Sequence, residues 1–223
     1  MEQEADWIWV SDDDAYLKDD ALKQASDYLE EQPDLDKISA ICGKVIKNGK
    51  MDINHGKYYY KKGIRICEAS IPAEMYEKKE FEMGSFTYVG TIMNKKKLLE
   101  AGLPNKDYFI YWDDLEHGIR MGKTGKIIGV PGIVAYHDVG EEGSGINWKL
   151  YYSYRNMIDT YRKHFSGVCY DYFCLKIRVK IFLNHMTGHK KLEMNILEEA
   201  FKNARQQKFG LHPVYRPGWK PGE

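Results

Sequence analysis

An α/β fold built on a mixed sheet, passing into an all-helical C-terminal region, is predicted by this sequence on three observations. Short apolar runs rich in aromatic and β-branched residues alternate with segments of helical periodicity up to about residue 147. Those runs end at Asp, Gly and Pro clusters, the punctuation of an open α/β sheet. Beyond that point the strand signals cease and three helical patterns follow. With 223 residues the chain can bury a sizeable core, and two regions are expected, 1–147 and 148–223.

Composition excludes several classes of function. Lys plus Arg and Asp plus Glu each number 33, so no net field draws the chain to nucleic acid or to anionic membrane, and any such partner has to be argued from a local site. Its four cysteines, Cys42, Cys67, Cys169 and Cys174, form no paired knuckles, and nothing resembles a signal peptide, so a reducing, cytoplasmic setting is expected. Cys169 and Cys174, without a second pair, read as buried free thiols rather than metal ligands. No uncharged apolar run reaches the length of a spanning helix.

The elements follow in order. "DWIWV" predicts a short buried strand over 6–10, apolar on both parities. "KDDALKQASDYLEEQPD" predicts a helix capped by Asp19 or Asp20, with Leu22, Ala25 and Leu29 as its stripe and Pro33 as its stop. "ISAICGKVIKNGKMDI" predicts a strand and a hairpin turning at Asn48-Gly49. "NHGKYYYKKGIRI" predicts an irregular hairpin or loop, with a charged region at 77–82 beyond it. "SFTYVGTIMNKKKLLEAG" predicts strand, turn and short helix, closed by Gly102 and Pro104. An aromatic strand "YFIYW", an acidic helix ending near Gly125, the strand "GIVAYH" and the Gly-rich loop "DVGEEGSGI" come next.

In the C-terminal region the stretch 168–187 alternates like a strand, yet Val168, Tyr172, Leu175, Val179, Phe182 and Met186 share one helical face over a length strands rarely reach. A cationic amphipathic helix is expected there, packing on its own protein or resting on a membrane surface. The tail "HPVYRPGWKPGE" reads as an extended terminus, and no internal repeat is visible.

Three adjacent carboxylates, Asp12, Asp13 and Asp14, stand at the C-terminal end of the first strand. Two unit charges about 5 Å apart repel by roughly 0.8 kcal/mol even in water, so such a cluster calls for a cation or a compensating cap. Ser11 or Asp14 capping a helix is the competing explanation. Asp113, Asp114 and Glu116 repeat the arrangement at a helix start, where the helix dipole offers its own explanation. His137 ends a third strand, and the C-terminal edge of an open sheet is where α/β proteins gather their chemistry. Oxygen ligands with one imidazole suit Mn²⁺ or Mg²⁺ better than Zn²⁺. Such a cation neutralises a diphosphate while a carboxylate kept off the metal takes a proton from an attacking hydroxyl.

At these residues the sequence resembles the family 2 glycosyltransferases of GT-A fold, in particular their bacterial galactofuranosyl- and rhamnosyltransferase branch. The family's Asp-x-Asp strand is matched by "WIWVSDDDA", its acceptor-side strand by "FTYVGTIMN", its acidic catalytic motif by "FIYWDDLEHGIRMGKTG" and its metal histidine by "VPGIVAYH". The helix start "YYSYRN" is also similar, and the resemblance spans about residues 5–165. It implies the metal-, diphosphate- and acceptor-binding part of a GT-A mixed sheet, without the preceding half-sheet that holds base and ribose. Asp12, Asp13 and Asp14 are then expected at the metal and donor diphosphate, Asp12 and Asp14 touching the metal and His137 completing its site. Asp114 is expected as general base, with Asp113 and Glu116 orienting hydroxyls. Trp112 reads as a sugar-stacking platform or as core, and Gly90 and Thr91 as lining the acceptor side.

The implied activity is inverting, metal-dependent transfer of galactofuranose or rhamnose from a uridine- or deoxythymidine-diphosphate donor to a glycan or lipid-linked glycan, in cell-wall or surface polysaccharide synthesis. Peripheral contact with the inner membrane face and homo-oligomerisation are compatible with it. The rival readings are a metal-dependent phosphoester hydrolase and a non-catalytic module binding glycan or a partner. The loop 138–146, with glycines as hinges, is expected either to close over donor or to be plain surface.

Overall fold

The computed structural model describes residues 5–140, 145–165 and 167–221. The fold is mixed α/β, as the sequence predicts, and the described residues form six α-helices and a seven-stranded mixed sheet. Two compact units emerge, one of Met1–Tyr59, Glu68–Pro104 and Asp114–Glu142, the other of Tyr60–Cys67, Asn105–Asp113 and Gly143–Glu223.

In the first unit β1 (Trp7–Val10) leads through the Asp cluster into β2 (Ala15–Leu17) and helix α1 (Ala21–Glu30). Then come β3 (Ile38–Lys47) and β4 (Lys50–Met51), joined at Asn48-Gly49. Both turn residues have positive φ, +47° and +77°, the backbone that a two-residue hairpin demands and Asn-Gly tolerates. A three-stranded sheet, ordered β6-β5-β8, is made by β5 (Gly56–Lys62), β6 (Arg65–Ser70) and β8 (Ser85–Phe86). The stretch 54–66, expected to be irregular, is thus a regular hairpin.

The main sheet is completed by β7 (Phe81–Met83), β9 (Thr91–Asn94) and β10 (Lys126–His137) in the order β1-β9-β3-β10-β2. Strands β3 and β10 are parallel, while β9 runs antiparallel to both β1 and β3, so β1, β3 and β10 end on one edge. Each face is covered. Ala40, Cys42, Met93 and Ile127 join Leu98 of α2 (Lys95–Ala101) and Met121 of α3 (Asp113–Thr124) in one core. Their neighbours Ile41, Ile92 and Ile128 join Ala21, Ala25 and Tyr28 of α1 in the other. Burial on both faces is why β3 reads as a continuous apolar run. Pro131 lies in the bulge between Gly129 and Val134 of β10, where its missing N–H costs no ladder bond.

Two local expectations change. β1 is half-buried rather than buried, with Trp9 40% exposed, because an edge strand pairs on one side only. Helix α1 buries Ala21, Ala25 and Tyr28 and leaves Leu22 exposed, and its N-cap Asp20 makes no side-chain cap bond. Small alanines let the helix approach the sheet closely, so the buried face is set by fit rather than by the largest apolar residue.

The second unit is built on α4 (Lys149–His164), α5 (Gly167–Thr187) and α6 (Lys191–Arg205). Here the largest departure occurs: the expected strand "YFIYW" is a short 3₁₀ turn followed by irregular backbone. Phe109, Tyr111 and Trp112 all take positive φ, of +69°, +62° and +68°. Such non-glycine residues cost roughly 1–3 kcal/mol each and need external support. It comes from α4, where Asn156 Nδ2 donates to the carbonyls of Tyr108, Ile110 and Tyr111 at 3.0, 3.0 and 2.8 Å. Arg155 donates to the carbonyls of Tyr108, Asp107 and Gly210. Fully buried, it is sandwiched by the rings of Tyr151, Tyr152 and Phe209, and burial holds its guanidinium below its ordinary pKa. Side chains of a helix thus satisfy backbone that a neighbouring strand would otherwise pair.

Asn156→Ala is expected to destabilise the protein by about 2 kcal/mol or more, because the carbonyls of Ile110 and Tyr111 lose the Asn156 donor and that of Tyr108 keeps only its bonds from Arg155 and the backbone. Urea denaturation measures this, and an unchanged midpoint would refute the role given to the amide.

The C-terminal tail is packed rather than extended. Tyr215 stacks on Tyr151, and its carbonyl accepts from Tyr152 Oη at 2.7 Å.

Candidate metal and donor site

At the shared strand edge, β2 pairs antiparallel with the end of β10, placing Ala15 opposite His137. The backbone closes around this point: Ala15 N–H donates to Asp12 O, and Asp138 N–H to Asp14 O. One ligand atom from each of Asp12, Asp14 and His137 therefore lies within 4.8 Å of the other two. His137 Nε2 is 3.1 Å from Asp14 Oδ1 and 3.8 Å from Asp12 Oδ2. The carboxylates are about half exposed, whereas the imidazole side chain is 18% exposed and held by its strand.

Partial burial raises the Asp12 carboxyl above its ordinary range, His137 opposes the shift, and repulsion from Asp14 and Asp13 adds to it. A cation would relieve that repulsion. Two carboxylates and an imidazole at this spacing can hold Mn²⁺ or Mg²⁺. Asp13 is exposed and outside this group.

The turn before β9 borders the same face. Gly90 has φ of +69°, and a Cβ on it would stand 2.9 Å from that of Ala135, which shares its strand face with His137. Both demands restrict the position to glycine. Thr91 is fully buried, its hydroxyl donating to Thr87 O at 2.7 Å. Two histidines that sequence did not single out hold this turn. His55 Nδ1 lies 2.6 Å from Thr87 Oγ1, and His117 Nδ1 lies 3.1 Å from Tyr88 Oη. Histidine outside a motif carries no sequence signal, and only the tertiary contacts reveal them.

Burial pushes both imidazoles down to about 4, with Arg120 adding to the effect at His117. A folded pKa below the unfolded one means stability is present above about pH 6.5 and is lost as pH falls toward 4, because the unfolded chain binds the protons first. The loss from pH 7 to pH 4 is expected to include at least about 2 kcal/mol from these two groups. Melting curves across that range should steepen in the wild type and flatten in His55→Gln/His117→Gln; parallel profiles would contradict it.

The second acidic group starts α3 and is not a member of the Asp12–Asp14–His137 cluster. Asp114 is half-buried, and its Oδ1 accepts from Leu115 N–H at 2.6 Å. Asp113 is also half-buried. Glu116 is buried and grips Arg120 Nε through both oxygens, at 3.2 and 3.0 Å, while Arg120 donates to the carbonyls of Ala101, Gly102 and Leu103. That pair ties α3 to the end of α2. Trp112 is buried edge-on against Tyr161, a core placement. The loop 138–146 falls partly outside the described residues, which omit 141–144.

The fold is similar to that of a GT-A glycosyltransferase. The crystal structure of GalNAc-T7 with UDP, GalNAc and Mn²⁺ matches with a TM-score of 0.51 at 11% identity, over 91% of this chain and 40% of that one. The galactofuranosyltransferase GlfT2 of Mycolicibacterium smegmatis is 26% identical over 117 residues, 44% of this chain and 18% of that protein. A probable GTP-binding protein, EngB of Helicobacter pylori, is 20% identical over 142 residues, 61% of this chain and 58% of that protein. The chain thus spans less than half the length of GalNAc-T7 or GlfT2. No family model matches. The sequence contains no G-x-x-x-x-G-K-[S/T] phosphate loop, and its Gly122-Lys123-Thr124 closes helix α3 instead of opening one.

Proposed function

We propose that this chain is the metal- and acceptor-binding part of an inverting glycosyltransferase acting on a nucleotide-diphosphate sugar. The observation that carries the reading is the Asp12–Asp14–His137 cluster at the C-terminal edge of a GT-A sheet. GalNAc-T7, which shares the fold, was crystallised with UDP, GalNAc and Mn²⁺, and GlfT2 is a galactofuranosyltransferase. The first likeness supports a UDP-linked donor and the second galactofuranose as its sugar, and the acceptor in this reading is a glycan hydroxyl.

In this reading Asp12, Asp14 and His137 hold Mn²⁺ or Mg²⁺, which when bound neutralises the leaving diphosphate. Asp114, at the head of α3, accepts the proton of the attacking hydroxyl, and Asp113 orients that hydroxyl. Glu116 and Trp112 serve as support, fixing α3 and the segment before it. Gly90 and Thr91 shape the acceptor-side turn through backbone and packing.

Calorimetric titration with Mn²⁺ followed by UDP tests the proposal, together with product analysis from UDP-galactofuranose and a glycan acceptor. Metal-dependent UDP binding and a new glycosidic bond are expected. Release of free phosphate from simple phosphoesters would favour hydrolysis, and no metal binding at all would end the reading.

A further inference from the structure

Helix α5 is apolar on two sides, and its own unit covers only one of them. Cys174, Ile177 and Ile181 are buried with Ile158, Met194, Leu197 and Phe201 in the core of the helical unit. On the other side Val168, Leu175, Val179, Phe182, Leu183 and Met186 are exposed, Phe182 to 63% and Met186 to 71%. The sequence marks this second face as its apolar stripe, either packing on its own protein or resting on a membrane surface, and the side chains named stand exposed. The buried face is narrower and set by what α4 and α6 offer opposite.

At 100° per residue the exposed side chains form one stripe, running the length of a helix about 31 Å long. Basic residues border it on both sides: Lys176 and Lys180 on one, Arg178 on the other, all exposed. Asp171 is the one acidic residue of the helix. Lys180 lies 3.7 Å from Glu193, Arg178 stacks at 5.9 Å on Phe201, and His185 pairs with Glu198 at 3.2 Å. Lys190 and Lys191 stand at the start of α6, past the Gly188-His189 turn that ends α5. No helix among the described residues is long and apolar enough to cross a membrane.

We propose that the outer face of α5 lies in the plane of an anionic membrane surface, its apolar side chains entering the headgroup region and its flanking cations meeting lipid phosphates. An apolar stripe with basic borders is the pattern of an interfacial helix. A second copy of this chain is the poorer occupant. Two α5 helices packed antiparallel about their midpoint, near Ile177, would bring Lys176, Arg178 and Lys180 close to their own counterparts, where like charges repel.

Co-sedimentation with vesicles of phosphatidylglycerol and phosphatidylcholine in equal parts, against phosphatidylcholine alone, tests this without requiring activity. Strong partitioning to the anionic vesicles only is expected. Each of Lys176→Gln and Lys180→Gln should weaken it about fivefold, and high salt should do the same. Phe182→Ser should weaken it more than about tenfold. Circular dichroism must remain that of the wild type, as these side chains lie outside the core. Equal binding to both vesicle types, no binding to either, or insensitivity to Phe182→Ser would overturn the proposal. So would a concentration-dependent dimer in light scattering that Phe182→Ser abolishes while vesicle binding is absent.

Discussion

Asp114→Asn should lower the rate of sugar transfer by about 10²–10⁴-fold, the usual contribution of a positioned general base. The substitution preserves shape, and the amide oxygen can still accept from Leu115 N–H, so the head of α3 keeps its geometry. Because Asp114 is outside the Asp12–Asp14–His137 cluster, affinity for Mn²⁺ and for UDP should stay within a factor of about two of wild type. Single-turnover transfer measured beside calorimetric metal titration separates the two effects. A parallel loss of metal affinity would show that Asp114 is a ligand rather than a base.

Asp14→Asn should instead lower Mn²⁺ affinity by at least about 100-fold, since even groups that only orient metal ligands are worth 10–100-fold. UDP binding that depends on the metal should fall with it. Asp14 is the carboxylate nearest the imidazole, and His137→Ala should reproduce the loss in direction with unchanged folding, the residue being the last of β10. Metal affinity that survives both substitutions would remove this cluster from the mechanism.

Local chemistry made much of the fold legible. Asn48-Gly49 announces its hairpin because few residues accept two successive positive φ angles. Gly102 closes α2 at φ of +80°, as its place in the sequence announces, and Asn94 caps the other end by accepting from Lys97 N–H. The Asp12–Asp14 and His137 elements were readable as strand ends, and their convergence follows from β2 pairing with β10. The aromatic residues of 108–112 favour a strand, and nothing local reports that Arg155 and Asn156, more than forty residues later, will take the segment's carbonyls. Glu116 and Trp112 stand beside Asp113 and Asp114 in sequence, and the fold buries both. A helix start turns successive side chains about 100° apart, so Glu116 is carried inward to Arg120.

By itself the sequence determined where most strands and helices lie and which ends carry carboxylate and imidazole, because periodicity, caps and turn residues act within a few positions of one another. Only the tertiary structure decided which of two apolar faces α5 would bury, which acidic residues gather at the strand edge, and which histidines are held neutral inside. Those outcomes depend on what stands opposite each side chain, and a partner distant in sequence leaves no mark on the residues that it will meet.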